Sequence, residues 1–181
     1  MSSVLLFFGC SPQKTEVVPQ NQEVSNTKAP TPPTGNRYQF GTLLSFGIGG
    51  TAAPFKVSGW SGDEQGHTWT DKSVAVLSFE IDPTNEPLLL RMTLSGLTKE
   101  PALPFQPVEV AVNGSKVADW QVSTVSQFSA VIPMDVQRPK GLLTIEFRIP
   151  KATSPASLGM SNDERMLGIS VSDLKIDKGS R

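Results

Sequence analysis

The sequence predicts an all-β domain, an antiparallel β-sandwich or jelly roll, behind a disordered N-terminal tether. Three observations carry this. From residue 38 onward apolar residues recur with a period of two, the repeat of a strand with one buried face. No segment sustains the 3.6-residue period of an amphipathic helix. Turn-forming residues separate the alternating runs at short intervals, as in sandwiches and barrels.

The runs follow one another along the chain. Between Ser73 and Ile81, Ala75, Leu77, Phe79 and Ile81 share a face. Between Pro87 and Gly96, Leu88, Leu90, Met92 and Leu94 do so, with Arg91, Thr93 and Ser95 opposite. Val108, Val110 and Val112 lead into Asn113-Gly114, two residues that tolerate positive φ and predict a hairpin turn. The return strand carries Ala118, Trp120 and Val122. Phe128, Ala130 and Ile132 alternate, and so do Leu143, Ile145, Phe147 and Ile149. The last run changes parity: Leu167, Ile169 and Val171 are odd, Leu174 and Ile176 even. A bulge near Ser172-Asp173 would return the apolar residues to the core. A short helical turn is expected at most around Pro155 to Leu158 or near Asp163 to Arg165. A parallel sheet would need helical crossovers, and no run supplies them.

Composition narrows the classes of function. Lys and Arg number 16 against 17 Asp and Glu, and no basic stripe stands out, which argues against nucleic acid as a partner. The single cysteine, Cys10, excludes an intrachain disulfide and a cysteine-rich zinc site. The single histidine, His67, excludes histidine clusters. No metal and no cofactor is expected. The hydrophobic share of 38% is low for a globular chain, and the deficit lies in residues 11–37. That stretch holds five prolines and no aromatic residue, so it cannot bury enough apolar surface to offset the entropy of ordering. It reads as a Pro-rich spacer, leaving residues 38–178 as the sandwich.

Residues 1–10, MSSVLLFFGC, place an apolar run and a small residue directly before Cys10. This resembles the end of a bacterial lipoprotein signal, cleaved before a cysteine that becomes acylated. No Lys or Arg precedes the apolar run, and the run is far shorter than the ~20 residues a spanning helix needs. The resemblance implies a lipid anchor at Cys10 and a place in the cell envelope, at the outer membrane or its periplasmic face. Multiple acyl chains would meet the requirement for stable anchoring.

Two stretches hold the candidate chemistry. The first, Gly59 to Asp71, contains Trp60, Trp69, His67 and the carboxylates Asp63, Glu64 and Asp71. Flat aromatic rings beside hydrogen-bonding groups suit a sugar, whose apolar face stacks while its hydroxyls are bonded at the rim. Trp60, Glu64, His67, Trp69 and Asp71 are the candidate ligand-binding residues. Equally, the tryptophans can cap the sandwich core. Glu64, His67 and Asp71 could also serve as acid and base, but no nucleophile motif accompanies them and the sole tyrosine, Tyr38, sits at the tether's edge. The carboxylates are hard oxygen donors of the kind calcium takes, without a twelve-residue calcium-loop pattern. The second stretch, Ile149 to Ile169, is a long loop between strands, with Asp163 and Arg165 placed to bridge it locally.

Gly59-Trp60, Glu64, Gly66 and Trp69-Thr70, the hairpin Gln106 to Gly114, and the closing set Ser154-Pro155, Leu158-Gly159, Ser161, Asp163, Arg165 and Leu167-Gly168-Ile169 together resemble a β-sandwich domain found at the C-terminal end of bacterial membrane glycosyltransferase-like and phosphoglycerol-transferase-like proteins. The similarity spans roughly residues 40–178. It implies a module akin to carbohydrate-binding domains that works at the envelope, here without an attached membrane enzyme. His67 stands where an Arg is common in that family.

The expected function is therefore non-catalytic glycan binding by an envelope lipoprotein. The alternative is a structural adaptor that docks on an envelope glycosyltransferase or export complex. A polysaccharide-acting enzyme would need a cleft holding His67 beside a carboxylate.

Overall fold

A computed structural model describes Met1, residues 35–138 and residues 140–179. The signal-like segment, Cys10 and all but the end of the tether lie outside those residues. Among the described residues, eleven strands form two antiparallel sheets: β1 (Leu43–Ser45), β2 (Lys56–Ser58), β3 (Trp60–Glu64), β4 (His67–Asp71), β5 (Val74–Glu80), β6 (Leu88–Gly96), β7 (Gln106–Val112), β8 (Ser115–Val122), β9 (Ser126–Ile132), β10 (Leu142–Arg148) and β11 (Leu167–Lys178). One sheet runs β3-β4-β11-β6-β9, with β1 also paired to β11; the other runs β2-β5-β10-β7-β8. The only helical pieces among the described residues are two single turns, Ala53–Phe55 and Met134–Val136. No helix there is long and apolar enough to cross a membrane. The expected sandwich of jelly-roll type is what the chain forms. The stretch around Pro155 to Leu158 makes hydrogen-bonded turns without becoming a helix.

The core is built by the alternation in the sequence. Leu77 and Phe79 on β5, Leu88, Leu90 and Met92 on β6, Val110 and Val112 on β7, and Leu143, Ile145 and Phe147 on β10 are fully buried. Each such side chain stabilises the fold by ~1.5–3 kcal/mol relative to exposure. The parity change in β11 is resolved by an irregularity in its register with β6 between Val171 and Asp173. Leu174 and Ile176 are thereby buried, where a straight strand would turn them to solvent. Asn113 and Gly114 both take positive φ in the β7–β8 turn. The Asn113 amide also donates to Val136 O at 2.8 Å and its Oδ1 accepts from Thr144 N at 3.0 Å.

Tyr38 departs from expectation. It is buried in the core rather than lying at the edge of a tether. Its hydroxyl accepts from Ile176 N at 2.8 Å and donates to Thr42 O at 2.5 Å, and its ring packs edge-on against Phe40, Phe55 and Phe79. Burial pushes its phenol upward from the ordinary value. Asn36 is also buried, and Arg37 pairs with Asp82, so packing begins before residue 38. The chain enters the sandwich beside Glu80 and Ile176. That end lies six residues along β11 from Ser170, the partner of Trp69, or ~20 Å at strand rise.

Candidate functional site

The β3–β4 hairpin sorts its residues by face. Thr68 and Thr70 are fully buried, while His67, Trp69 and Asp71 alternate with them on the outward side of β4. Trp60 pairs with Thr70 and shares its inward face. Its indole packs against Phe46 at 5.5 Å and Phe147 at 6.3 Å, and its Nε1 donates to Val76 O at 2.9 Å. Trp60 is thus part of the sandwich core. Trp69 packs on no core side chain of the described residues; its ring meets His67 edge-on at 5.9 Å.

Glu64 pairs with His67 across the hairpin. One Glu64 oxygen lies 3.4 Å from His67 Nε2, and the other accepts from Arg165 Nη1 at 2.9 Å. Arg165 also grips Asp163, through Nε at 3.0 Å and Nη2 at 2.6 Å to Oδ2. The guanidinium holds Asp163 below the usual carboxylate range, and the two carboxylates raise Arg165. Asp71 accepts from Met166 N at 2.9 Å, which ties the same loop to β4. On the opposite flank Ile48 N donates to Glu64 O at 2.9 Å. Gly47 makes that approach possible: it has φ +99°, and a Cβ there would stand 2.5 Å from His67 N and 2.6 Å from Glu64 O. Ile48 and Met166, whose backbones bond Glu64 and Asp71, present exposed side chains beside the patch.

Four of the five sequence-derived candidates, Glu64, His67, Trp69 and Asp71, therefore meet on one outward face, and Trp60 stands apart from them. The residue that sequence reasoning missed is Arg165, read only as a local bridge to Asp163. Its bond to Glu64 spans 101 positions, and no local pattern encodes that.

The carboxylates are committed to separate partners. Asp63 accepts from Lys56 and from Thr68 Oγ1, at 2.6 Å for the latter, and these bonds, Lys56 first, lower its pKa. No group of three or more His, Cys, Asp or Glu side chains converges to hold a metal among the described residues. Two cavities open elsewhere, one of about 500 Å³ lined by Tyr38, Phe40 and Lys178, the other of about 340 Å³ lined by Ile81, Met134 and Gln137. Neither is lined by a residue of the patch.

No family model matches the chain, and no curated protein does. Among solved structures, it is similar to the CBM36-1 domain of a multidomain xylanase from the hindgut metagenome of Trinervitermes trinervoides, with a TM-score of 0.46, 10% identity, and 77% of this chain and 98% of that one covered. It is similar to CsCBM6-3 from Clostridium stercorarium, solved with cellobiose, with a TM-score of 0.46, 11% identity, and 81% and 100% covered. A third is BtGH115A, a family GH115 4-O-methyl-α-glucuronidase, with a TM-score of 0.47, 11% identity, and 84% of this chain against 19% of that one.

Proposed function

We propose that this domain is a non-catalytic glycan-binding module, carried by an envelope lipoprotein anchored through Cys10. The observation that carries the reading is Trp69. It is a half-buried tryptophan on an outward sheet face, excluded from the core, beside His67 and within one hairpin of the Glu64–Arg165–Asp163 network. An indole in that position offers a flat apolar surface to one face of a sugar ring. The charged network offers fixed donors and acceptors to its hydroxyls at the rim. The side chains are held by backbone and ion-pair contacts, so little ordering cost falls on the ligand-bound state.

The test is a glycan array probed with the full chain carrying Cys10→Ser, with and without calcium. Binding that disappears in Trp69→Ala, with the circular dichroism spectrum unchanged, is the expected result. Failure to retain any glycan, or binding indifferent to Trp69→Ala, would return the weight to an adaptor that docks on an envelope protein.

A further inference from the structure

We infer that the patch selects sugars bearing hydroxyl or amino groups and rejects uronate and sulfated sugars. This rests on the glycan-binding reading above and adds the charge class of the ligand.

The first ground is the state of Arg165. An anionic sugar is ordinarily held by a guanidinium fork. Here three of the five N–H groups are committed: Nε and Nη2 bond Asp163, and Nη1 bonds Glu64. A sugar carboxylate or sulfate finds the Nε–Nη2 edge occupied, and the remaining end of the guanidinium flanked by two protein carboxylates.

The second ground is the hydrogen-bonding capacity left over. His67 Nδ1 lies 3.2 Å from the Gln65 carbonyl and Nε2 lies 3.4 Å from Glu64 Oε2, so each ring nitrogen stands beside an oxygen acceptor. Those two oxygens, a carbonyl and a carboxylate, call for donors. A hydroxyl or an ammonium group supplies one, and a carboxylate or sulfate does not.

The third ground is local charge. Glu64, Asp71, Asp163 and the exposed Glu164 surround the patch, against the single guanidinium of Arg165. Lys72, the residue after Asp71, is exposed, and with it the carboxylates still outnumber the cations two to one. An anion approaching this face meets net repulsion of a strength that disfavours it by ~tenfold in affinity at low salt.

The experiment uses the full chain with Cys10→Ser and three probes matched in length: a neutral glucan tetramer, a glucosamine tetramer with free amines, and a galacturonate tetramer. Each is titrated calorimetrically at 50 and 500 mM NaCl. The expected result is binding of the neutral or the amino tetramer and at least tenfold weaker binding of galacturonate, with the gap narrowing at high salt. Asp163→Asn and Glu64→Gln each release part of the guanidinium, and both are expected to raise galacturonate affinity relative to glucan. Because both carboxylates are half-buried and hold Arg165, a fold check by circular dichroism accompanies them. Galacturonate binding as well as or better than both other probes overturns the inference while leaving glycan binding intact. If none of the three binds at millimolar concentration, the glycan-binding reading itself fails, and the charge selection with it.

Discussion

Trp60 and Trp69 lie nine residues apart, on opposite faces of one hairpin, and truncation should separate them. In Trp60→Ala the core loses an indole that touches Phe46 and Phe147 and a hydrogen bond to Val76 O. Full removal of a buried tryptophan costs ~3–5 kcal/mol, and Trp60 is only partly buried, which places the loss near the lower end. In Trp69→Ala no core contact is lost, and the cost should stay within ~0.5 kcal/mol, as for a surface site. A domain of this size unfolds in urea with a slope of ~2 kcal/mol per molar, so a 3 kcal/mol loss moves the midpoint by about 1.5 M. Trp69→Ala should move it by about 0.3 M or less. Urea titration followed by circular dichroism reads both without depending on indole fluorescence. Equal midpoint shifts for the two variants, or a larger shift for Trp69→Ala, would refute the assignment of faces.

Three further outcomes follow from the same contacts. Gly47→Ala forces a Cβ into the backbone of Glu64 and His67 at positive φ; the strain alone costs ~1–2 kcal/mol, and chemical denaturation should show at least that loss, a neutral effect meaning the loop relaxes freely. Asp63 titrates below its ordinary value of 3.8 in the folded protein because Lys56 and Thr68 bond its charged form. Its contribution is therefore present above pH ~4 and lost as pH falls through the lowered value. The stability gap between wild type and Asp63→Asn should be largest at pH 7 and shrink toward pH 3, and a pH-independent gap would contradict this. Arg165→Ala removes exposed pairs worth ~0–1 kcal/mol, so the melting temperature should hardly move. Amide exchange in the loop between β10 and β11 should accelerate instead, and unchanged exchange would show that Asp71 and the backbone bonds alone fix the loop.

The fold was legible because a sheet writes its burial into a period of two. The parity change between Val171 and Leu174 even located the bulge, since only an inserted residue keeps Ile169 and Ile176 on the same side. The three-residue strands β1 and β2 were not legible, being too short to show alternation. Tyr38 was misplaced because its neighbours on the N-terminal side are polar, while what buries it, Phe55, Phe79 and the Ile176 backbone, is remote in sequence. The candidate site was half legible. The strand period places His67, Trp69 and Asp71 together, but the register shift in β3 between Trp60 and Asp63 decides that Trp60 faces in while Glu64 faces out. Arg165 joins the patch only through a tertiary contact.

The most direct measurement of glycan binding at Trp69 is the indole N–H region of a ¹⁵N correlation spectrum during titration with a bound glycan. The chain has three tryptophans. The Nε1 groups of Trp60 and Trp120 donate to Val76 O and Ser129 O inside the fold. The expected result is that one indole signal, assigned to Trp69 by its absence in Trp69→Ala, shifts and saturates with the glycan while the other two stay in place. Movement of the Trp60 or Trp120 signal with Trp69 unmoved, or three stationary signals at saturating glycan, would contradict binding on this face.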